Sequence, residues 1–216
     1  IAKAHGIILI VDDIQVGCGR TGPFFSFERA GIVPDVVCLS KSLSGFGLPM
    51  SLVLLSPELD VLEPGEHNGT FRGHNLAFVT ARVALETWWK DDAFTADVDR
   101  KAEHVASTLR AIADEHGAHY RGRGLIQGIA FDDPALAERA CSLAFERGLV
   151  IETAGSRDEV IKVLAPLTTT IAEFDEGLGI LTKALRDARR QLGDRKPAAR
   201  ASASTPPTNT DVRRVS

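Results

Sequence analysis

Residues 7–11 read Ile-Ile-Leu-Ile-Val without a polar break, and two aspartates, Asp12 and Asp13, follow at once. An unbroken run of branched apolar residues predicts a strand covered on both faces, as in a parallel sheet, because a strand with one wet face alternates apolar and polar positions. Residues 36–39 (Val-Val-Cys-Leu) form a second such run and residues 51–55 a third, each closed by polar or Gly/Pro residues. Three short strands so close together predict an α/β sheet.

The pattern then changes to the helical period. Leu76, Val79, Val83 and the tryptophan pair give one predicted helix over residues 76–89. Val98, Val105, Leu109 and Ile112 give a second over residues 98–116. Beyond Gly117 a second unit is expected: a strand over 125–131, a helix over 135–147, strands near Val150 and Val160, and a last helix over 171–192. This divides the chain into residues 1–92, the end of a large domain, and residues 93–192, a connector helix and a small α+β domain. From residue 193 onward Ala, Ser, Thr, Pro and Arg dominate, so burial cannot offset the entropy of ordering and a disordered tail is expected.

Composition narrows the function classes. The net charge is −4, and no basic stripe interleaved with aromatics precedes the tail, so nucleic acid is not an expected partner. The apolar runs fall far short of the roughly 20 residues a membrane span needs. Three widely spaced cysteines, Cys18, Cys38 and Cys141, form no metal-ligand pattern and point to a reduced, cytoplasmic compartment. The chain opens on Ile1, six residues before a core strand, and is read as a piece of a longer protein.

Two residues carry chemistry. Asp12 closes the first strand and Lys41 follows the second, and ligands of open α/β sheets bind outside the carboxyl ends of the strands. A lysine that forms a Schiff base and an aspartate on a pyridinium nitrogen are the pair a pyridoxal-phosphate (PLP) enzyme requires. Gly17-Cys18-Gly19-Arg20-Thr21-Gly22 also fits GxGxxG, but five residues separate it from the strand and Pro23-Phe24-Phe25 follows where an apolar helix should start. A dinucleotide loop is therefore set aside.

The segment Asp12-Asp13-Ile14-Gln15-Val16-Gly17-Cys18-Gly19-Arg20-Thr21-Gly22, then Pro34-Asp35, then Lys41 ahead of a Gly-rich stretch and Pro49, resembles the class III aminotransferases, with Asp13 where glutamate is usual. The resemblance implies the α/β fold type I of PLP-dependent transferases. It implies that Lys41 carries the cofactor, Asp12 pairs with its ring nitrogen, Ile14 packs on the ring and Gln15 approaches the phenolic oxygen. The segment Gly69-Thr70-Phe71-Arg72-Gly73 resembles one whose threonine reaches the cofactor phosphate of the neighbouring subunit, so Thr70 implies a homodimer with shared sites. Arg72, standing where the family has glycine, and Lys162, aligned with an arginine that binds a substrate carboxylate in many relatives, are the candidate substrate-binding cations.

These segments together resemble one subgroup, which moves the 4-amino group of L-2,4-diaminobutyrate to 2-oxoglutarate in ectoine biosynthesis and is associated with potassium. No potassium ligand set is evident in the sequence. The substrates implied are a small amino acid and a 2-oxo acid. The alternatives are an ornithine- or 4-aminobutyrate-type transaminase and an inactive remnant that serves as a binding module. The chain by itself is expected to be inactive, because no Gly/Ser/Thr-rich turn that could cup a phosphate precedes the first strand.

Overall fold

The computed structural model describes residues 1–69 and 72–193. β1 (Ile10–Asp12) runs parallel to β2 (Val36–Leu39), and β2 runs antiparallel to β3 (Leu52–Leu55), in the order β1-β2-β3. The Pro34-Asp35 pair explains how the parallel pairing starts. The Asp35 carboxylate accepts the Leu9 N–H at 2.8 Å, and the Leu9 carbonyl accepts the N–H groups of Asp35 and Val36 at 2.9 and 3.1 Å. At the other end the Asp13 N–H donates to the Cys38 carbonyl at 2.9 Å, which carries the ladder one residue past Asp12.

Three expectations are corrected here. The apolar run becomes strand only at Ile10, and the sheet is not parallel throughout. The chain returns from β2 to β3 through residues 40–51, which hold a short 3-10 turn and no α-helix of the kind that usually carries a parallel crossover. Nor are the strands covered on both faces. Val37 and Leu39 are buried, while Ile7, Ile8, Ile10 and all four residues of β3 are exposed, Ile10 by 61%.

α1 (Asn75–Trp88) begins where the His74 ring accepts the Ala77 N–H at 3.1 Å. Its buried residues are Ala77 and Ala81, whereas Leu76, Val79 and Val83, whose spacing predicts the helix, are exposed. The buried face meets the turn that follows Lys41 so closely that a Cβ on Gly45 would lie 2.5 Å from the Cβ of Ala84. Only small side chains fit such an approach.

α2 (Ala93–His116) buries Val98, Val105, Leu109 and Ile112 as its periodicity predicts, and ends at Gly117 with φ +64°. Past it, β4 (His119–Arg123), β5 (Ile126–Ala130), β6 (Glu152–Ala154) and β7 (Val160–Val163) form an antiparallel sheet in the order β4-β5-β7-β6. α3 (Pro134–Phe145) starts on the Asp133 cap and Pro134. α4 (Ile171–Gly193) extends one residue into the segment expected to be the tail, and residues 194–216 lie outside the described residues. Leu109, Ile129, Ile161, Leu181 and Leu185, none more than 1% exposed, join these helices and strands in one core. A separate, smaller core gathers Cys18, Val37, Leu39 and Leu43 under Phe24, Phe25 and Phe27. Among the described residues no helix is long and apolar enough to cross a membrane, and all three cysteines are free.

The two cores meet at Arg20. Its guanidinium, 7% exposed, donates to the carbonyls of Leu125 and Ala165 at 3.2 and 2.5 Å, and its own carbonyl accepts the Leu125 N–H at 2.8 Å. The β4–β5 turn comes this close because Gly124 has φ +56° and no side chain; a Cβ there would lie 2.4 Å from the Arg20 carbonyl oxygen. Gly124→Ala should lower the stability of the full-length protein by about 2–4 kcal/mol, from backbone strain and overpacking together. Denaturant unfolding checks this, and a loss under about 0.5 kcal/mol would mean that the turn relaxes freely.

Candidate active site

β2 stops at Leu39, and the hydroxyl of Ser40 donates to the Met50 carbonyl at 2.7 Å, tethering the strand end to the segment that leads into β3. Lys41 then takes φ +50° and opens a short 3-10 turn, Lys41–Ser44, in which Leu43 and Ser44 are buried. A non-glycine residue with positive φ is uncommon and costs on the order of 1–3 kcal/mol. Among the described residues three such positions occur, Cys18, Lys41 and Asp158, and the first two line one cavity.

That cavity has a volume of about 640 Å³. The loop after β1 contributes Cys18 and Arg20, the turn after β2 contributes Lys41, α1 contributes Trp88, and the segment after β7 contributes Pro166 and Thr168. Its lining carries two cations, Lys41 and Arg20, and no carboxylate, a field that suits anionic ligands. Burial pushes the Arg20 guanidinium below its ordinary value, yet two carbonyl acceptors keep its charge satisfied. An aromatic corner fixes the wall: Trp89 meets Phe24 edge-on at 5.2 Å and Phe94 at 5.2 Å. Gly19 is required there, since a Cβ would overlap the Trp89 ring at 2.0 Å. The Lys41 amine forms no ion pair among the described residues.

Asp12 and Lys41 stand at the same carboxyl edge, because β1 and β2 are adjacent and parallel and Asp12 is in register with Cys38, three residues before Lys41. Asp12 is exposed, and among the described residues its carboxylate accepts the Ile14 N–H alone, at 3.0 Å. Ile14 and Gln15 are exposed as well, and neither lines the Lys41 cavity. The adjacent acid behaves differently. Asp13 is 1% exposed and its carboxylate accepts the Ser26 N–H at 2.9 Å and the Ser26 hydroxyl, so the second aspartate folds the loop.

The remaining candidates are dispersed. Thr70 lies outside the described residues. Arg72 is exposed and its guanidinium donates to the His67 carbonyl. Lys162, on β7, pairs with Glu152 of β6 at 2.7 Å. Sequence reasoning missed the role of Arg20, although the motif around it was visible, since a sequence does not show which distant carbonyls an arginine will meet. It also missed Glu152, which has no motif.

The match to known proteins now defines the class. The aminotransferase class-III family model matches residues 1–185, and the chain belongs to that family. It is 62% identical over 180 residues to a diaminobutyrate--2-oxoglutarate transaminase from Nocardia farcinica, covering 83% of this chain and 41% of that protein. A diaminobutyrate--2-oxoglutarate transaminase from Bordetella parapertussis is 56% identical over 203 residues, covering 92% of this chain and 46% of that protein. The chain thus spans less than half the length of these curated relatives. Among solved structures, an ornithine delta-aminotransferase from Plasmodium falciparum superposes with a TM-score of 0.79 at 27% identity, over 88% of this chain and 50% of that one. The fold is the α/β fold type I of class-III aminotransferases, which are PLP-dependent.

The residues fit that cofactor: an amine without an ion pair among the described residues on a strained turn, a carboxylate ending the adjacent strand, and a cationic cavity that the amine lines. The cysteines give a check on the geometry. Burial, with the Asp13 carboxylate adding to it, pushes the Cys18 thiol up to about 11, and burial beside Glu152 pushes Cys141 to about 11 as well. Both thiols stay protonated at pH 8 and ionise only as the pH nears 11. In the full-length protein each should react with iodoacetamide about a hundredfold more slowly than an unhindered cysteine, measured by mass spectrometry. Alkylation of Cys18 at the free-thiol rate would show that it does not sit buried beside Asp13.

Proposed function

We propose that the full-length protein transfers the 4-amino group of L-2,4-diaminobutyrate to 2-oxoglutarate, giving aspartate 4-semialdehyde and glutamate. The observation that carries the reaction class is the Lys41 amine, unpaired among the described residues and held by strained backbone one strand away from Asp12. The shared name of relatives 62% and 56% identical supports the choice of substrates.

Pyridoxal phosphate, when bound, supplies the electron sink that stabilises negative charge at the substrate carbon. Lys41 would hold it, and the Lys41 Nζ would remove and return the substrate proton as general base and acid. The Asp12 carboxylate would favour a proton on the ring nitrogen. Ile14 would pack on the ring and Gln15 would bond its phenolic oxygen. With Lys41 engaged by the cofactor, Arg20 is the cation of that cavity that favours the carboxylates both substrates carry. Thr70 is the proposed contact to a neighbouring subunit's cofactor phosphate, which makes the enzyme a homodimer.

The test is glutamate formation by the full-length protein with PLP and 2-oxoglutarate, comparing amino donors. L-2,4-Diaminobutyrate should exceed ornithine and 4-aminobutyrate at least tenfold in kcat/KM. A preference for ornithine would move the protein to the ornithine type, and no turnover of any donor would mark it as non-catalytic. Lys41→Ala should abolish turnover, with near-normal rates in that variant ruling out the lysine's role. Asp12→Asn should slow kcat on the order of 10³-fold, equivalent to several kcal/mol of barrier. A rate within about tenfold of wild type would show that Asp12 is not the ring partner. Mixing Thr70→Ala with Lys41→Ala protein should restore activity in heterodimers, where one site carries both defects and the other neither.

A further inference from the structure

Glu152 and Lys162 stand opposite each other in the β6–β7 register, and their side chains pair at 2.7 Å. Both line a second cavity, of about 440 Å³, walled by Leu164, Pro166 and Phe174. Leu164 and Pro166 also line the Lys41 cavity, so the two hollows share the stretch of chain that follows β7. The electrostatics agree with this adjacency. The hydrogen bond from Lys162, and then its charge, hold the Glu152 carboxyl below its ordinary value, and the Lys41 ammonium adds to the effect. The cavity next to that of the reactive amine therefore holds the paired Glu152 and Lys162, with Glu173 as a further carboxylate in its lining.

The pair does little for the fold. The Glu152 side chain is 70% exposed, and ion pairs with an exposed partner contribute little to stability. A donor that reacts at its 4-amino group, in contrast, keeps an ammonium and a carboxylate together on C2, at the end away from Lys41. An ion pair presented at that end is complementary to such a zwitterion, because each member can exchange its partner for the opposite charge of the ligand.

We propose that Glu152 is the specificity residue for the amino donor, accepting a charge-assisted hydrogen bond from the C2 ammonium of L-2,4-diaminobutyrate while Lys162 meets the C2 carboxylate. This rests on the reading of diaminobutyrate as donor. It gives the enzyme a means of telling diaminobutyrate from 4-aminobutyrate, which is the same chain without the C2 ammonium. A site that bonds a charged group rejects the analogue lacking it. The acceptor, 2-oxoglutarate, has no ammonium and gains nothing from Glu152.

The experiment compares wild-type, Glu152→Gln and Glu152→Asp full-length holoenzymes on both donors. In wild type the kcat/KM ratio of diaminobutyrate to 4-aminobutyrate should be high. In Glu152→Gln that ratio should fall about 30-fold, mainly through a higher KM for diaminobutyrate, with the KM for 2-oxoglutarate changed less than threefold and the melting temperature unchanged. Glu152→Asp, which keeps the charge, should recover part of the ratio. A fall of less than tenfold in Glu152→Gln, or an equal loss on both donors, overturns the proposal while leaving the transaminase reading intact. Failure of the wild type to use diaminobutyrate overturns the donor reading, and this proposal with it.

Discussion

The structure depends on one buried cation. The Arg20 guanidinium is withdrawn from water between the carbonyls of Leu125 and Ala165. A charge in that position is tolerable only when fully hydrogen-bonded, because its desolvation is otherwise far costlier than any gain from packing. The carbonyls belong to the β4–β5 turn and to the segment after β7, while Arg20 belongs to the loop after β1. Satisfying this single group therefore fixes three segments relative to one another. Gly124 makes the contact sterically possible, and Asp13, holding Ser26, keeps the loop in shape.

The Lys41 cavity is a consequence of that join. Its walls come from the loop that Arg20 anchors, from α1 and from the segment after β7, so no single element contains it. The strain is concentrated at the same place. Cys18 and Lys41 both hold positive φ, and such conformations persist only where the surroundings over-determine them. At Lys41 the tether from Ser40 to Met50 and the burial of Leu43 and Ser44 provide that constraint. The turn is in turn backed by α1, where Gly45 and Ala84 approach too closely for a larger side chain at either position.

Some of this was legible from residue order alone. The period of α2 marks Val98, Val105, Leu109 and Ile112 as buried, and Gly117 marks its end, because both signals are local and the helix lies against a core on that face. The same rule finds α1 but not the face it buries. There the large apolar residues Leu76, Val79 and Val83 stay exposed, since periodicity records which residues avoid water but not which surface lies within reach. The apolar run 7–11 was overextended as a strand for a similar reason. Only Ile10, Val11 and Asp12 find backbone partners in register, and the pairing begins where the Asp35 carboxylate takes the Leu9 N–H.

What the sequence determined by itself was the family and the chemical type of the groups involved. An aspartate ending one strand, a lysine after the next and the glycines around them are short-range patterns that residue order records in full. The tertiary structure alone decided which distant groups those residues meet. It set Asp12 in the open and Asp13 beneath the loop, turned Arg20 toward carbonyls more than a hundred residues away, and paired Glu152 with Lys162 in a second cavity that shares Leu164 and Pro166 with that of Lys41. Such partnerships depend on how far each side chain reaches and on what desolvation it can bear, and both are set only when the segments have packed.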